Sequence, residues 1–165
     1  MRSGVFAAAL MLAPAALAQA RPAYCNIYDE LVAAAPTGFA IYRGEARQPG
    51  LYASPLQLPA TPHCAIYESS EFGIACQSDW GGLALSQLLF GTARTQLAIC
   101  FAGWIEKPFI GAPGDYEVIA GVRYTRSTPD GELSAGFALT REIKPSDPQY
   151  TVGFVMLLIP KDLAV

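Results

Sequence analysis

His63-Cys64-Ala65-Ile66-Tyr67-Glu68-Ser69-Ser70-Glu71-Phe72-Gly73-Ile74-Ala75-Cys76-Gln77 is the stretch on which the fold turns. Two apolar runs flank the short polar break Ser69-Ser70-Glu71, the pattern of a β-hairpin. With the turn centred on Ser70, Cys64 falls opposite Cys76. Side chains alternate faces along a strand, so Cys64, Ile66, Phe72, Ile74 and Cys76 share one apolar face.

Ser78-Asp79 follows at once and offers a helix cap. On a 3.6-residue wheel the segment from Trp80 to about Trp104 carries Leu85, Leu89, Ala93, Leu97, Cys100 and Trp104 in one apolar stripe. Gln87, Arg94 and Ala98 point away, so the segment reads as an amphipathic helix. At 1.5 Å per residue Cys100 lies about 30 Å from the capped end, beside which Cys76 sits. A disulfide needs Cα atoms within about 7 Å. A straight helix therefore excludes Cys76–Cys100 and Cys64–Cys100, and leaves Cys64–Cys76 with Cys25–Cys100. A break at Gly91-Thr92 would reopen the alternatives.

That all four cysteines are oxidised follows from the compartment. Met1-Arg2-Ser3 is a short positive start, and an apolar run from Val5 to Ala18 follows with Pro14 inside it. Ala16-Leu17-Ala18 and Ala18-Gln19-Ala20 then supply two overlapping A-x-A ends. These are the parts of a cleaved secretory signal over residues 1–20, with cleavage expected after Ala18 or Ala20. The run is shorter than the roughly 20 apolar residues of a membrane span. Tyr24 beside Cys25 is too bulky for a lipid-attachment box. No insertion into a membrane is expected once the signal is removed, and residues 21–165 are expected to form a single domain. An even number of cysteines in an exported chain reads as disulfides. A zinc site is disfavoured, because no C-x-x-C pair occurs and His63 is the only histidine.

Loss of Arg2 with the signal would leave ten basic against fourteen acidic residues, a formal net charge of −4. The basic residues are also scattered, so nucleic acid is not an expected partner. Abundant Ala and Arg with a single Asn, Asn26, hints at a bacterial source and hence a periplasmic location. Asn26-Ile27-Tyr28 is no glycosylation acceptor.

Before the hairpin, Tyr24, Ile27, Tyr28, Leu31, Val32 and Ala35 recur at helical spacing, and Pro36-Thr37-Gly38 ends that helix. Phe39 to Arg43 is expected as a short strand. Gly44 to Pro62 holds four prolines and no period, yet Leu51, Tyr52, Leu56 and Leu58 indicate that it packs across the body. Lys107 to Gly114 reads as turn-rich. Tyr116 to Thr125 alternates as a half-buried strand, and Thr128-Pro129-Asp130-Gly131 turns it into a second one holding Leu133 to Leu139. A further turn spans Lys144 to Pro148. Tyr150 to Leu158 is apolar on both faces beyond Gly153, which places it inside a sheet. The expected fold is α+β with an antiparallel sheet, in the order α-β-β-β-α-β-β-β, stapled by two disulfides.

No set of residues meets the requirements of a catalytic site. His63 precedes Cys64 on a strand and so points to the opposite face; no G-x-S-x-G surrounds any serine. It reads as a surface histidine. Glu68 with Glu71 and Asp115 with Glu117 are carboxylate pairs close in sequence, and both look like solvated strand ends rather than a glycosidase pair. Gly81-Gly82 opens a helix, but Asp79 has the wrong charge for an anion seat there. Tyr24, Tyr28, Tyr42, Tyr52, Trp80, Phe90, Phe101 and Trp104 are suited to binding surfaces, although helical spacing assigns most of them to the core. No cofactor or metal is expected. The function expected is a non-catalytic binding or protein-interaction module outside the cytoplasm, with another envelope protein as the kind of partner. The alternatives are a small hydrolase using carboxylates and a structural envelope component.

Overall fold

The computed structural model describes residues 21–68, 72–109, 116–143 and 147–163. The signal read over residues 1–20, the turn residues Ser69 to Glu71, Gly111 to Asp115 and the start of the Lys144 turn lie outside them. Among the described residues two helices, α1 (Asn26–Ala34) and α2 (Leu83–Cys100), lie with one antiparallel sheet of eight strands. The α+β class is as expected. The strands are β1 (Ala46–Gln48), β2 (Leu51–Ala53), β3 (His63–Glu68), β4 (Phe72–Gln77), β5 (Ile105–Pro108), β6 (Tyr116–Thr128), β7 (Gly131–Glu142) and β8 (Tyr150–Pro160). Across the sheet they run β1-β2-β3-β4-β8-β7-β6-β5. The connection from β4 to β5 crosses three intervening strands. At 1.5 Å per residue the 18 residues of α2 reach about 27 Å, enough to cover that width.

The hairpin has the register its sequence predicts. Cys64 pairs with Cys76 and Ile66 with Ile74, and all four are buried. Both disulfides are present, Cys64–Cys76 with Cα atoms 4.0 Å apart and Cys25–Cys100 with Cα atoms 5.1 Å apart. The second joins the start of α1 to the last residue of α2. Gly91 does not break the helix, and Thr95 donates its hydroxyl to the Gly91 carbonyl at 3.0 Å.

Several local expectations are corrected. Phe39 to Arg43 is not a strand. Gly38 and Phe39 both take left-handed backbone (φ 63° and 58°), and their N–H groups donate to the carbonyls of Ala35 and Ala34. That closure drops Phe39 into the core, and the chain leaves it as a 3₁₀ turn over Ala40–Tyr42. The Pro-rich stretch contains the small hairpin β1–β2, whose three-residue strands are too short to show a period. Lys107 begins no turn, because β5 already pairs with β6 through Lys107 and Pro108.

The start of α2 differs too. Ser78 does not cap it; its hydroxyl lies 3.0 Å from Thr151 Oγ1 and accepts the Val152 N–H. Gly81 exchanges both backbone hydrogen bonds with Tyr150, so residues 78–81 extend the sheet and the helix begins at Leu83, behind Gly82. The buried stripe is then Ser86, Phe90, Ala93, Leu97 and Cys100. It is turned by one residue at its beginning from the expected stripe, and Leu85 is 58% exposed. The reason is Phe90, whose ring lies parallel to that of Phe137 at 5.5 Å and fixes the inward face. Trp104 stands beyond the helix end, half-buried, edge-on to Phe101.

One layer of core fills the space between helices and sheet. Tyr28 of α1 packs against Phe101 and Phe154, and Phe101 lies against Tyr124. Burial raises the Tyr28 pKa above its ordinary value of 10.0, because the ionised form loses its hydration. A folded value above the unfolded one contributes stability that is intact below pH 10 and is lost as pH rises through the folded value. The unfolding midpoint in denaturant should therefore fall above pH 10, and Tyr28→Phe should make that fall shallower. An unchanged alkaline profile in Tyr28→Phe would show that Tyr28 ionises as freely in the folded chain.

Candidate binding trough

The face of the sheet turned away from the helices is built from small residues. Strand pairing aligns Ala65, Ala75, Val155 and Gly136 in one row, and His63, Gln77, Gly153, Ala138 and Gly121 in the next. The period of two explains how one sheet carries both faces. Cys64, Cys76, Phe154, Phe137 and Val122 alternate with these residues and point to the core.

Over this low floor lies a cavity of about 550 Å³. Pro55, Leu56 and Pro62 from the loop before β3 wall one end, and Phe109 stands at the other. Arg47, His63, Gln77 and Thr140 supply polar side chains along it. From β3 to β7 the floor spans three strand spacings, about 14 Å. Volume and make-up suit a small-molecule site, which is concave, mainly apolar and carries a few polar groups.

Phe109 is seated on two glycines. A Cβ at Gly121 would stand 2.6 Å from the Phe109 Cβ, and one at Gly136 would stand 2.5 Å from its ring. Neither position accepts a side chain while Phe109 remains there. Gly153 is different: a Cβ there meets only the Cys76 carbonyl oxygen, at 3.8 Å, and otherwise projects into the cavity. Sequence reasoning missed this site. The available signal was the recurrence of single glycines inside strands, at positions 121, 136 and 153, which marks close approach by another group.

The cysteines singled out from sequence form the two bridges, and Cys64 and Cys76 lie under the trough. His63 faces away from the core as expected and lines the rim, with Nε2 2.8 Å from Asp79 Oδ1. Both side chains are largely exposed. Ser78, adjacent in sequence, has its hydroxyl engaged by Thr151, Val152 and the Asp79 carbonyl. No hydrogen bond joins His63 to a hydroxyl among the described residues, so the geometry of a nucleophile and its base is not assembled. Glu68 pairs with Arg43, and Glu117 pairs with Arg141. Neither carboxylate lines the trough; Glu71 and Asp115 lie outside the described residues. Among the described residues no group of three or more His, Cys, Asp or Glu side chains is placed to hold a metal ion. Of the aromatics, Tyr28, Phe90 and Phe101 are buried in the core, and Trp80 stacks on Tyr116 at the surface.

A second cavity, of about 770 Å³, opens beside the Cys25–Cys100 bridge. Its charged groups are already engaged: Arg21 bonds Asp29 and the Cys100 carbonyl, and Arg126 lies over the Trp104 ring at 4.7 Å. The outer face of α2 exposes Leu85, Leu88 and Ile99. No helix among the described residues is long and apolar enough to cross a membrane. No family model, no curated protein and no solved structure matches the chain.

Proposed function

We propose that this chain is an exported binding protein that holds a small ligand in the trough on the open face of its sheet. The carrying observation is the floor itself: Ala65, Ala75, Ala138 and Gly153, with Val155 among them, lie under a walled cavity of about 550 Å³, on a face that the helices leave uncovered. Two disulfides accord with folding in an oxidising compartment outside the cytoplasm. The signal-like residues 1–20 and the Ala- and Arg-rich composition favour the bacterial periplasm. The hydrolase reading loses support, because Glu68 and Glu117 are each engaged by an arginine and do not converge. The reading as a protein-interaction module retains one observation, the exposed Leu85, Leu88 and Ile99 on α2. For a structural envelope component the sheet edges β1 and β5 are short, with charges at Arg47, Glu106 and Lys107 that discourage edge pairing.

A ligand that binds only the folded state raises the melting temperature. A thermal-shift screen of small amphiphiles and aromatic compounds should therefore yield stabilising hits for the wild-type protein. Those hits should disappear in Gly153→Val, whose Cβ is accommodated by the sheet and whose side chain projects into the middle of the trough. Hits that stabilise Gly153→Val equally would move the site away from the trough.

A further inference from the structure

Resting on that reading, we infer that the ligand of the trough is a small amphiphilic anion, with a flat or chain-like apolar body and its negative group at Arg47. The chain carries 14 acidic against 11 basic residues, yet among the described residues no Asp or Glu lines the trough. The cation that lines it is Arg47; the other ionisable groups there are His63 and Tyr67. Arg43, close in sequence, is taken by Glu68 and by the face of Tyr52 at 4.6 Å. Arg47 makes no ion pair or hydrogen bond with any other described residue. A guanidinium is always charged and is suited to a carboxylate, sulfonate or phosphate held through two N–H groups.

The shape argument is independent. Gly153, Ala138, Ala75 and Ala65 keep the floor low on either side of Val155 and Gln77, so a planar or extended body can lie across the sheet between those two side chains. Backbone N–H and C=O groups beneath it are already used in ladders to both neighbouring strands. Water on that floor finds few partners and is readily displaced by apolar groups. Phe109 offers an aromatic wall at the β7 end, and Arg47 belongs to β1 at the opposite side of the sheet. The separation suits a molecule with one apolar and one charged end. Gln77, Thr140 and His63 along the flank can accept or donate hydrogen bonds to groups between them.

Two dyes with the same aromatic skeleton test this. Anilinonaphthalene sulfonate carries one negative charge, and phenylnaphthylamine is its neutral counterpart; both fluoresce in an apolar site. The oxidised wild-type protein, with native near-ultraviolet circular dichroism, is expected to bind the sulfonate saturably at one site, about tenfold more tightly than the neutral dye. Arg47→Gln should bring the sulfonate down to the affinity of the neutral dye and leave the neutral dye unchanged. Gly153→Val should abolish both, and Ala75→Leu provides a second block of the same floor should the first variant lose its fold. If Arg47→Gln leaves the sulfonate unaffected while the blocks abolish binding, the anionic end is wrong and the trough stands as the site. If neither folded block changes binding of either dye, the trough itself is not the site and both readings fall.

Discussion

The double substitution Cys25→Ala/Cys100→Ala is expected to lower the free energy of unfolding by about 4.5 kcal/mol, the loop-closure value for a bridge spanning 75 residues. In a chain of this size that corresponds to a loss on the order of 10–15 °C in melting temperature. The bridge is buried, and it ties the start of α1 to the end of α2, two elements joined by no backbone hydrogen-bond ladder. Its removal should therefore loosen α1 first, since that helix is then held to the body chiefly by side-chain packing, through Tyr28, Leu31 and Ala34 with Ile27 and Val32 beside them. Cys64→Ala/Cys76→Ala opens a loop of only 12 residues and should cost less, about 3 kcal/mol. Its two strands remain held by their own ladder. Thermal and urea unfolding of the two variants checks the order. Equal losses would show that the long bridge does not restrain the unfolded chain in the way its span implies.

Phe137→Ala is the second large effect, expected at about 3–5 kcal/mol. Phe137 lies in the middle of β7, 2% exposed, with its ring parallel to Phe90 at 5.5 Å. The two neighbours of β7, β6 and β8, flank it with Val122 and Phe154 on the same face. Such a site cannot collapse easily, because its walls are a sheet on one side and a helix anchored at both ends on the other. The removed ring leaves a cavity beneath α2. A double-mutant cycle with Phe90→Ala should show a coupling of about 0.5–1.5 kcal/mol beyond area loss. Additive effects in urea melts would show that the ring pair contributes only as buried area.

Both predictions trace back to features legible in the chain. Alternation around Ser70 places Cys64 against Cys76, and the length of α2 then forces Cys100 to Cys25; one periodicity and one rise per residue suffice. The pair β6 and β7 is equally legible, because Tyr116 to Thr125 and Leu133 to Leu139 alternate and Pro129-Asp130-Gly131 turns between them, whereas the four residues of β5 are too few to show a period. Legibility fails where tertiary contact overrides local pattern. Ser78-Asp79 has the chemistry of a cap, yet the Ser78 hydroxyl finds Thr151 and Val152 from β8, which no local window contains. Phe39 has strand propensity, but its left-handed backbone sends the ring into the core.

The trough was hidden for a related reason. Its floor is assembled from β3, β4, β7 and β8, so residues as far apart as Ala75 and Val155 become neighbours only through strand order. Periodicity identifies the apolar face of each strand and says nothing about what small residues leave open on the other. Glycines inside strands were the visible trace, and their meaning depends on Phe109 lying over two of them and no described side chain filling the space above the third.

The most direct measurement is a two-dimensional amide spectrum of isotope-labelled, oxidised protein titrated with anilinonaphthalene sulfonate. Shifts should concentrate at Ala65, Ala75, Ala138, Gly153 and Val155, with little change on α2. If those five amides stay still while Leu85, Leu88 or Ile99 moves, the open sheet face is not where this protein binds.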